Sequence, residues 1–323
     1  MNGGVPCGVI GVGSLGFHHA RLLRTIDGAH LVGIHDADAA RAEDVSRELG
    51  LPAYPLLDEL LGRVEAAVIA VPTRAHATVA LQALDRGVHL LIEKPLASTL
   101  AEADAILARA AERGAIVATG HVERFNAALR ACEPYLDGVR FVESHRLAPF
   151  GVRGTDVAVV LDLMIHDIDL VLSLIGSPVE SVAAVGIPVL TPSVDIGNAR
   201  LTFGGGEVAN ITASRISPER MRKIRIFQPS GYLSLDLAAG TGEFLRLRGG
   251  APNPAAESLV DLVEPIPIRG DGVEPLRAEL EAFVAAVRGE KPPIVTGADG
   301  RRALAVALEI LHRMDPIGGA ASA

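Results

Sequence analysis

The segment VPCGVIGVGSLG, residues 5–16, decides the fold of this chain. An apolar, strand-like run ends in three glycines, Gly11, Gly13 and Gly16, and the HHARLLRTI that follows has helical spacing. A second apolar run ends at Asp36, twenty residues beyond Gly16. Glycines at this spacing are a weak signal alone. With a strand before them, a helix after them and an acid at this distance, they predict a dinucleotide-binding βαβ unit. The alternative, an ordinary βαβ turn with an exposed acid, is less consistent with this combination of features.

The residues of this turn have separate tasks in cofactor binding. Gly11 permits the tight turn, Gly13 lets the backbone approach a pyrophosphate, and Gly16 lets helix and strand pack closely. Free amides at the start of the helix then bind the phosphate charge. The cofactor contacts predicted here are those of Gly11, Gly13, Ser14, Leu15 and Gly16. Asp36 can accept hydrogen bonds from the adenosine ribose and would repel a 2′-phosphate, so NAD is predicted over NADP.

Strands and helices continue to alternate up to residue 121. Apolar runs at 66–73, 88–95 and 115–121 predict buried parallel strands, with helices around 75–86 and 99–113. The result is a doubly wound α/β sheet, whose ligands lie at the carboxyl ends of the strands. The residues predicted to contact the cofactor at those ends are Pro72, Thr73, His76, Glu93 and Lys94. Lys94 could instead be an ordinary solvated lysine at a strand end. Its predicted position in the ligand crevice argues against that alternative.

The second half of the chain has a different pattern. Clean alternation, as in YLSLD at 232–236, predicts a mostly antiparallel sheet with one covered face. Two helices follow, at about 274–288 and 299–313. We therefore predict an NAD-binding Rossmann domain at 1–121 and an α+β, open-faced sheet domain for substrate binding and oligomerisation at 122–323. The helices are too few to cover the sheet, so a homodimer or homotetramer is expected.

One segment of the second half, VVLDLMIHDIDLVLSL at residues 159–174, is predicted to be an apolar helix with a polar stripe. At helical spacing Asp162, His166, Asp169 and Ser173 fall at i, i+4, i+7 and i+11, on one side. Burying such groups without partners is costly, so something must compensate them. A catalytic acid–imidazole pair is one explanation. The other is a structural stripe whose polar side chains form hydrogen bonds with neighbouring strands. The dinucleotide signature favours the first.

The composition limits the classes of partner. The chain of 323 residues has a net charge of -9 and 3% aromatic residues, which argues against a nucleic-acid surface. Two cysteines, Cys7 and Cys132, are too few for a disulfide framework, so a reducing compartment is expected. The N-terminus lacks a basic region followed by a long apolar stretch, and no apolar run of about 18 residues occurs. A cytoplasmic protein without a membrane partner is therefore expected.

Several motifs together resemble one enzyme family. GVIGVGSLG, PTRAH, EKP, GHVERFN and the D-x-x-x-H of Asp162 and His166 span most of the chain and are similar to the Gfo/Idh/MocA oxidoreductases. The resemblance implies a Rossmann domain followed by an open-faced sheet domain. It also implies a catalytic pocket lined by Lys94, Asp162 and His166 beside the nicotinamide. The corresponding lysine–proline bond is commonly cis in the family, so a cis Lys94–Pro95 bond is expected. No metal site is expected.

These residue types suit the oxidation of an alcohol. A base must take the hydroxyl proton while hydride leaves the carbon, and histidine titrates near neutral pH. Asp162 can hold the imidazole of His166, and Lys94 can donate a hydrogen bond to the developing alkoxide. Either Lys94 or His166 could accept the proton, and His166 is favoured.

A narrower likeness concerns the substrate. HRLAPF, DLMIHDIDL, DIGNARLTF, NITASRIS and KIRIFQ look like the branch of the family that oxidises the C3 hydroxyl of UDP-N-acetylglucosamine. A sugar nucleotide brings two phosphate charges to an acidic protein, so local arginines are needed. The predicted substrate contacts are Arg124, Asn126, Arg146, Arg153, Asp169 and Arg215. A free cyclitol or simple sugar is the alternative substrate, and a non-catalytic NAD-binding sensor is the alternative class.

Overall fold

The computed structural model describes residues 3–151, 157–250 and 258–314. The chain separates into two compact units. The first comprises the residues up to Val122 together with Glu274–Leu304, and the second comprises Glu123–Val273 with the residues from Ala305 onward. No helix within the described ranges combines the length and apolarity needed to cross a bilayer.

The first unit is built on a five-stranded parallel sheet with the order β2-β1-β3-β4-β5. Its strands are β1 (Val5–Ile10), β2 (Ala29–His35), β3 (Ala66–Ile69), β4 (His89–Glu93) and β5 (Val117–Gly120). Its helices in this part of the chain are α1 (Ser14–Leu23), α2 (Ala39–Leu49), α3 (Leu57–Leu61), α4 (His76–Asp85) and α5 (Leu100–Arg113). The predicted doubly wound sheet is confirmed. The strand order reverses between β1 and β3, which is where such sheets bind their ligands.

The second unit is built on an eight-stranded sheet with the order β13-β12-β11-β10-β6-β9-β8-β7. Its strands are β6 (Phe141–Leu147), β7 (Val179–Ile187), β8 (Ile196–Phe203), β9 (Val208–Ser214), β10 (Met221–Gln228), β11 (Gly231–Asp236), β12 (Thr241–Leu247) and β13 (Val263–Arg269). Its helices are α6 (Ala127–Cys132), α7 (Ile165–Leu174) and α8 (Leu259–Leu262). All neighbouring strands are antiparallel except β6 and β9. The predicted mostly antiparallel sheet is confirmed.

One face of this sheet is covered, as the alternation predicts. Ile224 and Ile226 on β10 are fully buried, whereas Arg225 between them is exposed. Leu233 and Leu235 on β11 are also buried. The alternation therefore separates a core face from a more polar face.

The predicted single helix over 159–174 is wrong in its first turn. Val160–Met164 forms a π-helical turn, and regular α-helix begins only at Ile165. A π turn holds more residues than an α turn, so it changes the phase between Asp162 and the residues that follow. Residues late in the segment are therefore not aligned with Asp162 as a uniform helix would align them.

Two further helices lie near the end of the chain, α9 (Pro275–Val287) and α10 (Gly297–Arg313). Leu276, Leu280, Phe283 and Val284 on one face of α9 join the core that β1 and α1 form. The first boundary of the units falls after Val122, one residue beyond the boundary expected from the sequence at 121/122, and a single division of the chain does not describe its return to the first unit. Glu274–Leu304 belongs with the Rossmann sheet, not with the domain predicted at 122–323.

Candidate active site

The turn between β1 and α1 contains the close backbone approaches that glycine allows. Gly11 has a φ of +84°, and a Cβ on it would lie 2.7 Å from the amide nitrogen of Val71. A Cβ on Gly16 would lie 1.8 Å from the carbonyl oxygen of Gly11. Any larger residue at either position would push the helix away from the strands. The geometry therefore agrees with the tight turn and the close packing predicted from the sequence.

The start of α1 is open to an anion. Gly13 is the N-cap, it has no side-chain cap, and a Cβ there would meet no atom of the described residues within 4 Å. Ser14 and Leu15 are exposed in the first turn. Backbone amides at a helix N-terminus and the helix dipole both favour negative charge. The residues present therefore fit the pyrophosphate of NAD.

The carboxylate of Asp36 is held beyond the carboxyl end of β2 by backbone amides. Its Oδ2 accepts a hydrogen bond from the Val12 amide at 2.6 Å, and its Oδ1 accepts one from the Asp38 amide at 2.9 Å. A cavity of about 360 Å³ lies beside it, lined also by Glu43 and Tyr54. A ribose hydroxyl can donate to Asp36 there, whereas a 2′-phosphate would meet two carboxylates. The cavity therefore fits the adenosine of NAD better than that of NADP.

Pro72 and Thr73 follow β3 at the carboxyl edge of the sheet. Pro72 is exposed, and Thr73 is half-buried and begins a 3-10 turn that ends at Ala75. The carboxyl edge beside the reversal between β1 and β3 is where the sequence predicts the cofactor crevice. Contacts of Pro72 and Thr73 with the cofactor stay a prediction.

His76 joins the ends of β3 and β4. It is buried, with Nε2 at 2.9 Å from the carbonyl oxygen of Val71 and Nδ1 at 3.0 Å from that of Pro95. Burial lowers the pKa of His76, although these carbonyls and Glu93 act in the opposite direction. A neutral imidazole has one N–H, so it donates to only one of the two carbonyls at a time. The observed role of His76 is to hold the two strand ends, and its contact with the cofactor stays a prediction.

Glu93 ends β4 and turns its carboxylate into the first unit. Its Oε1 lies 2.7 Å from Nε2 of His19 on α1, and its Oε2 accepts a hydrogen bond from the Lys94 amide at 3.3 Å. The sequence did not reveal His19 as a partner of Glu93. Lys94 is half-buried, and its bond to Pro95 is cis, as the resemblance implied. A contact between Glu93 and the cofactor stays a prediction.

The acid–imidazole pair lies in the second unit, on either side of the junction between the π turn and α7. Asp162 and His166 are both half-buried. Asp169, in contrast, is 1% exposed, and its Oδ2 accepts a hydrogen bond from Nε of Arg124 at 2.9 Å. The hydroxyl of Ser173 donates to the carbonyl of Leu170 in its own helix. The predicted stripe of four residues therefore divides into a half-buried pair and two residues that are bonded within the unit.

Arg146 lies at the centre of a buried ion network. Its Nε donates to Oδ2 of Asp167 at 2.6 Å, and its Nη1 donates to Oε1 of Glu123 at 2.7 Å. The hydroxyl of Ser144 donates to the same Asp167 carboxylate at 2.8 Å. Burial acts to lower the pKa of Arg146, but the two carboxylates outweigh it and the pKa is raised. The charge that the sequence assigned to a substrate phosphate is thus neutralised inside the protein.

Asn126 is also turned inward. Its side chain accepts a hydrogen bond from the Ala128 amide, which caps α6, and its Nδ2 donates to Glu123 and to the carbonyl of Leu237. Asn126 is 4% exposed. The observed bonds therefore give it a structural role, and its predicted contact with substrate has no support in this geometry.

Arg215 holds a loop of the second unit. Its guanidinium donates to the carbonyl of Val157 and lies 3.7 Å from Oδ1 of Asp195. Asp195 is buried and accepts hydrogen bonds from the backbone amides of Val189, Leu190 and Thr191. Arg215 therefore supports the chain just before the π turn. Arg153, the remaining predicted arginine, lies outside the described residues.

The sequence did not single out the two acids that neutralise Arg146. Glu123 precedes Arg124 in GHVERFN, and Asp167 follows His166. Each therefore stands beside a predicted site residue. An acid inside an apolar stretch is the available signal, because a buried carboxylate needs a partner. Local spacing did not reveal that Asp167 and Asp169 are both buried.

A parallel sheet that reverses order beside an open helix N-terminus is the mark of a dinucleotide-binding protein. Comparison with known families extends this assignment along the chain. The family described as "Oxidoreductase family, NAD-binding Rossmann fold" matches residues 5–121, and the Gfo/Idh/MocA C-terminal domain matches residues 138–234. The chain belongs to the Gfo/Idh/MocA family, and it is an NAD-dependent oxidoreductase.

Individual relatives cover nearly the whole chain. A UDP-N-acetylglucosamine 3-dehydrogenase from Acidithiobacillus ferrooxidans is 40% identical over 304 residues, which are 94% of this chain and 95% of that enzyme. A solved structure of this enzyme superposes with a TM-score of 0.89 at 37% identity and covers 96% of this chain and 98% of its own. A scyllo-inositol 2-dehydrogenase (NAD(+)) from Bacillus subtilis is 28% identical over 317 residues, 91% of this chain and 90% of that enzyme.

Proposed function

We propose that this protein oxidises the C3 hydroxyl of UDP-N-acetylglucosamine to a ketone, with NAD as the hydride acceptor. The observation that carries the proposal is the 40% identity, along 94% of this chain, to an enzyme with that activity in its name. The identity to the scyllo-inositol dehydrogenase over a similar length is 28%. A sugar nucleotide is therefore the better-supported substrate.

The cofactor residues of the first unit bind and orient the dinucleotide. When bound, NAD supplies the carbon that accepts hydride from the sugar C3. The amides at the start of α1 hold the pyrophosphate, since Gly13 leaves that space open. Asp36 receives the ribose hydroxyls with a carboxylate that two backbone amides already fix. Orientation of this kind lowers the entropy cost of reaching the transition state.

The proton of the C3 hydroxyl needs an acceptor on the protein. We assign it to His166, which takes the proton as the C3–H bond breaks and the carbon–oxygen double bond forms. Asp162 orients the imidazole and stabilises its charged form. Lys94 donates a hydrogen bond to the oxygen while negative charge develops there. Each assignment is a proposal that substitution can test.

The diphosphate of the substrate needs a cation with accessible donors. The side chains of Arg146 and Arg215 are 3% and 5% exposed, whereas that of Arg124 is 17% exposed. Arg124 is therefore the best placed of the three for an external ligand, even though it binds Asp169. The sequence alone did not rank these three arginines as phosphate contacts, whereas their exposure favours Arg124.

The test is NADH formation by the purified protein with a panel of alcohols, in the presence of a carbonyl trap that removes the ketone. The panel contains UDP-N-acetylglucosamine, UDP-glucose, N-acetylglucosamine, myo-inositol and scyllo-inositol. We expect kcat/KM for UDP-N-acetylglucosamine to exceed that for each other compound by at least about tenfold, a difference of about 1.4 kcal/mol in transition-state binding. Equal or faster oxidation of an inositol would contradict the proposal and favour the cyclitol alternative.

The same assay distinguishes a non-catalytic NAD-binding sensor from a sugar-nucleotide dehydrogenase and from a cyclitol dehydrogenase. A sensor binds NAD but turns over none of the alcohols, with or without the trap. Calorimetric NAD binding in a protein that forms no NADH under any condition of the panel would therefore support the sensor. Turnover that disappears in Lys94→Ala would exclude it.

A further inference from the structure

A cluster of three buried residues lies in the first unit, and one of them, Glu93, directly precedes the lysine assigned to catalysis. His19 on α1 is 0% exposed, Glu93 at the end of β4 is 7% exposed, and Glu279 on α9 is 2% exposed. One ligand atom from each lies within 4.8 Å of the others. We call these three residues the His19 cluster. Carboxylates this deep in a protein need hydrogen-bond donors.

The hydrogen bonds of Glu93 divide between two different elements. Its Oε1 lies 2.7 Å from Nε2 of His19, and its Oε2 accepts the backbone N–H of Lys94 at 3.3 Å. Because the carboxylate is rigid, fixing one oxygen on α1 also fixes where the other oxygen can hold the Lys94 amide. The position of the Lys94 backbone thus depends on a side chain of α1.

Helix α1 is also the element whose N-terminus fits the pyrophosphate. It begins at Ser14, and His19 lies on its buried side little more than one turn later. A residue that belongs to the cofactor helix therefore holds the residue that precedes Lys94. A carboxylate oxygen of Glu279 on α9 lies within 4.8 Å of the ligand atoms of His19 and Glu93, and α9 packs in the same core as α1.

We propose that His19 is a positioning residue, which acts through Glu93 to hold Lys94 in register with the cofactor-binding helix. The inference rests on the proposed role of Lys94 in the reaction. His19 does not touch the reacting atoms in this proposal. Its contribution is the placement of a donor that must meet the developing alkoxide, and small displacements of such a donor slow a reaction strongly.

The first test does not depend on activity. The Lys94 amide is assigned by NMR in the protein with and without NAD, and its chemical shift and hydrogen exchange are compared among variants. His19→Leu removes the donor to Glu93, whereas His19→Gln keeps an N–H at a similar reach. We expect His19→Leu to shift the Lys94 amide and to increase its exchange at least about tenfold, the effect of losing one hydrogen bond to a charged group. His19→Gln should stay near the wild type.

His18→Ala is the matched control. His18 is the neighbouring residue on the same helix, but it is exposed and its ring contacts Phe17. It is the same residue type on the same helix, without a bond to Glu93. We expect no change at the Lys94 amide in this variant. A Lys94 amide that is unaffected in His19→Leu, or equally affected in His18→Ala, would overturn the proposal.

The second test separates positioning from general stability. In His19→Leu we expect kcat to fall about tenfold or more, while Kd for NAD and KM for the sugar change by less than about threefold. His19→Gln should recover most of kcat. Glu93→Gln combined with His19→Leu should be little slower than His19→Leu alone, because both act through one contact. If His19→Leu does not fold, His19→Asn takes its place, because the shorter side chain does not reach Glu93. Full kcat with a displaced Lys94 amide would contradict the proposal.

Two further outcomes have distinct meanings. If Lys94→Ala keeps wild-type turnover, the proposed catalytic role of Lys94 is wrong. The amide measurements on the His19 variants still test whether His19 positions the Lys94 backbone. Elemental analysis after dialysis against a chelator tests whether the His19 cluster instead holds a metal ion. One equivalent of tightly bound metal, lost in His19→Leu and Glu279→Gln, would replace the positioning role with a metal site.

Discussion

Arg146 shows why a residue type does not determine its role. An arginine in a stretch shared with sugar-nucleotide enzymes is a reasonable candidate for a phosphate contact, because guanidinium groups suit phosphate geometry. In the fold it is 3% exposed and engages Glu123 and Asp167. Its partners lie 23 and 21 residues away in sequence, so no local pattern could have identified them.

The role of Arg146 predicts a loss of stability. Arg146→Met should lower the free energy of unfolding by about 3–5 kcal/mol, because it leaves buried Asp167 without its cation and Glu123 with only the more exposed Arg222, 3.5 Å away. Urea denaturation followed by circular dichroism measures the change. The control is Arg225→Met, since that side chain is 54% exposed beside Glu143 and such pairs contribute about 0–1 kcal/mol. A stable Arg146→Met with a raised KM for the sugar nucleotide would restore the substrate role.

Asp36 is the opposite case, in which the sequence predicts the site residue and its surroundings agree. We expect NAD to bind at least about tenfold more tightly than NADP, a gap of about 1.4 kcal/mol. Asp36→Ser should narrow the gap, because a 2′-phosphate no longer meets that carboxylate. NAD affinity should also fall, since the amides of Val12 and Asp38 lose their acceptor. Calorimetry with both cofactors measures these values, and equal affinities in the wild type would refute the prediction.

At the scale of elements, strands and helices were predictable wherever hydrophobic period and turn residues agree. The capping box of Thr99 and Glu102 starts α5, and the related pair Thr296 and Asp299 starts α10. The π turn at Val160–Met164 was not predictable, because a locally widened turn leaves no separate mark in the apolar pattern. The π turn bears on the proposed acid–imidazole pair, because Asp162 lies within it.

The π turn and α7 carry the proposed acid–imidazole pair, so their substitution tests the element. His166→Ala should cost about a hundredfold or more in turnover, the scale of a lost general base. Asp162→Asn should cost less because the base is still present, and the double variant should be little worse than His166→Ala. Lys94→Ala should also slow the reaction. NAD affinity should stay nearly intact in each.

Ser173→Ala provides the matched control on the same helix. Its hydroxyl donates to the carbonyl of Leu170 and was grouped with His166 only by helical spacing. We expect wild-type turnover from this variant in the NADH assay. Wild-type turnover from His166→Ala as well would mean that the polar residues of α7 are structural.

At the scale of the whole molecule, the sequence predicts which segments are buried but not what buries them. The sequence predicted a helix at about 274–288, where α9 lies, yet nothing in its own residues assigned it to the Rossmann unit rather than to the sheet that precedes it in the chain. That assignment depends on contacts between α9 and α1, whose residues are more than 250 positions apart. The residue Glu279 of the His19 cluster was missed for the same reason.

The polar face of the eight-stranded sheet also contains an aromatic group. Phe227 on β10 is in register with Phe141 on β6 and with Tyr232 on β11, at ring-centroid distances of 5.4 and 5.2 Å. All three are half-buried. The chain has only 8 Phe and 3 Tyr residues and no Trp, and three of these rings lie side by side on the more polar face of the sheet. Clusters of this kind are typical of protein–protein contacts.

We therefore expect the protein to be a homodimer or homotetramer that associates through this face. Light scattering coupled to size exclusion at micromolar concentration should give two or four times the mass of one chain. Phe227→Lys should shift the mass toward the monomer, because a charge buried at an apolar contact without a partner is costly. Leu56→Lys, at a 61% exposed leucine of the first unit, should leave the mass unchanged. A wild-type monomer, or an unchanged mass in Phe227→Lys, would show that the aromatic group is not the contact that assembles the protein.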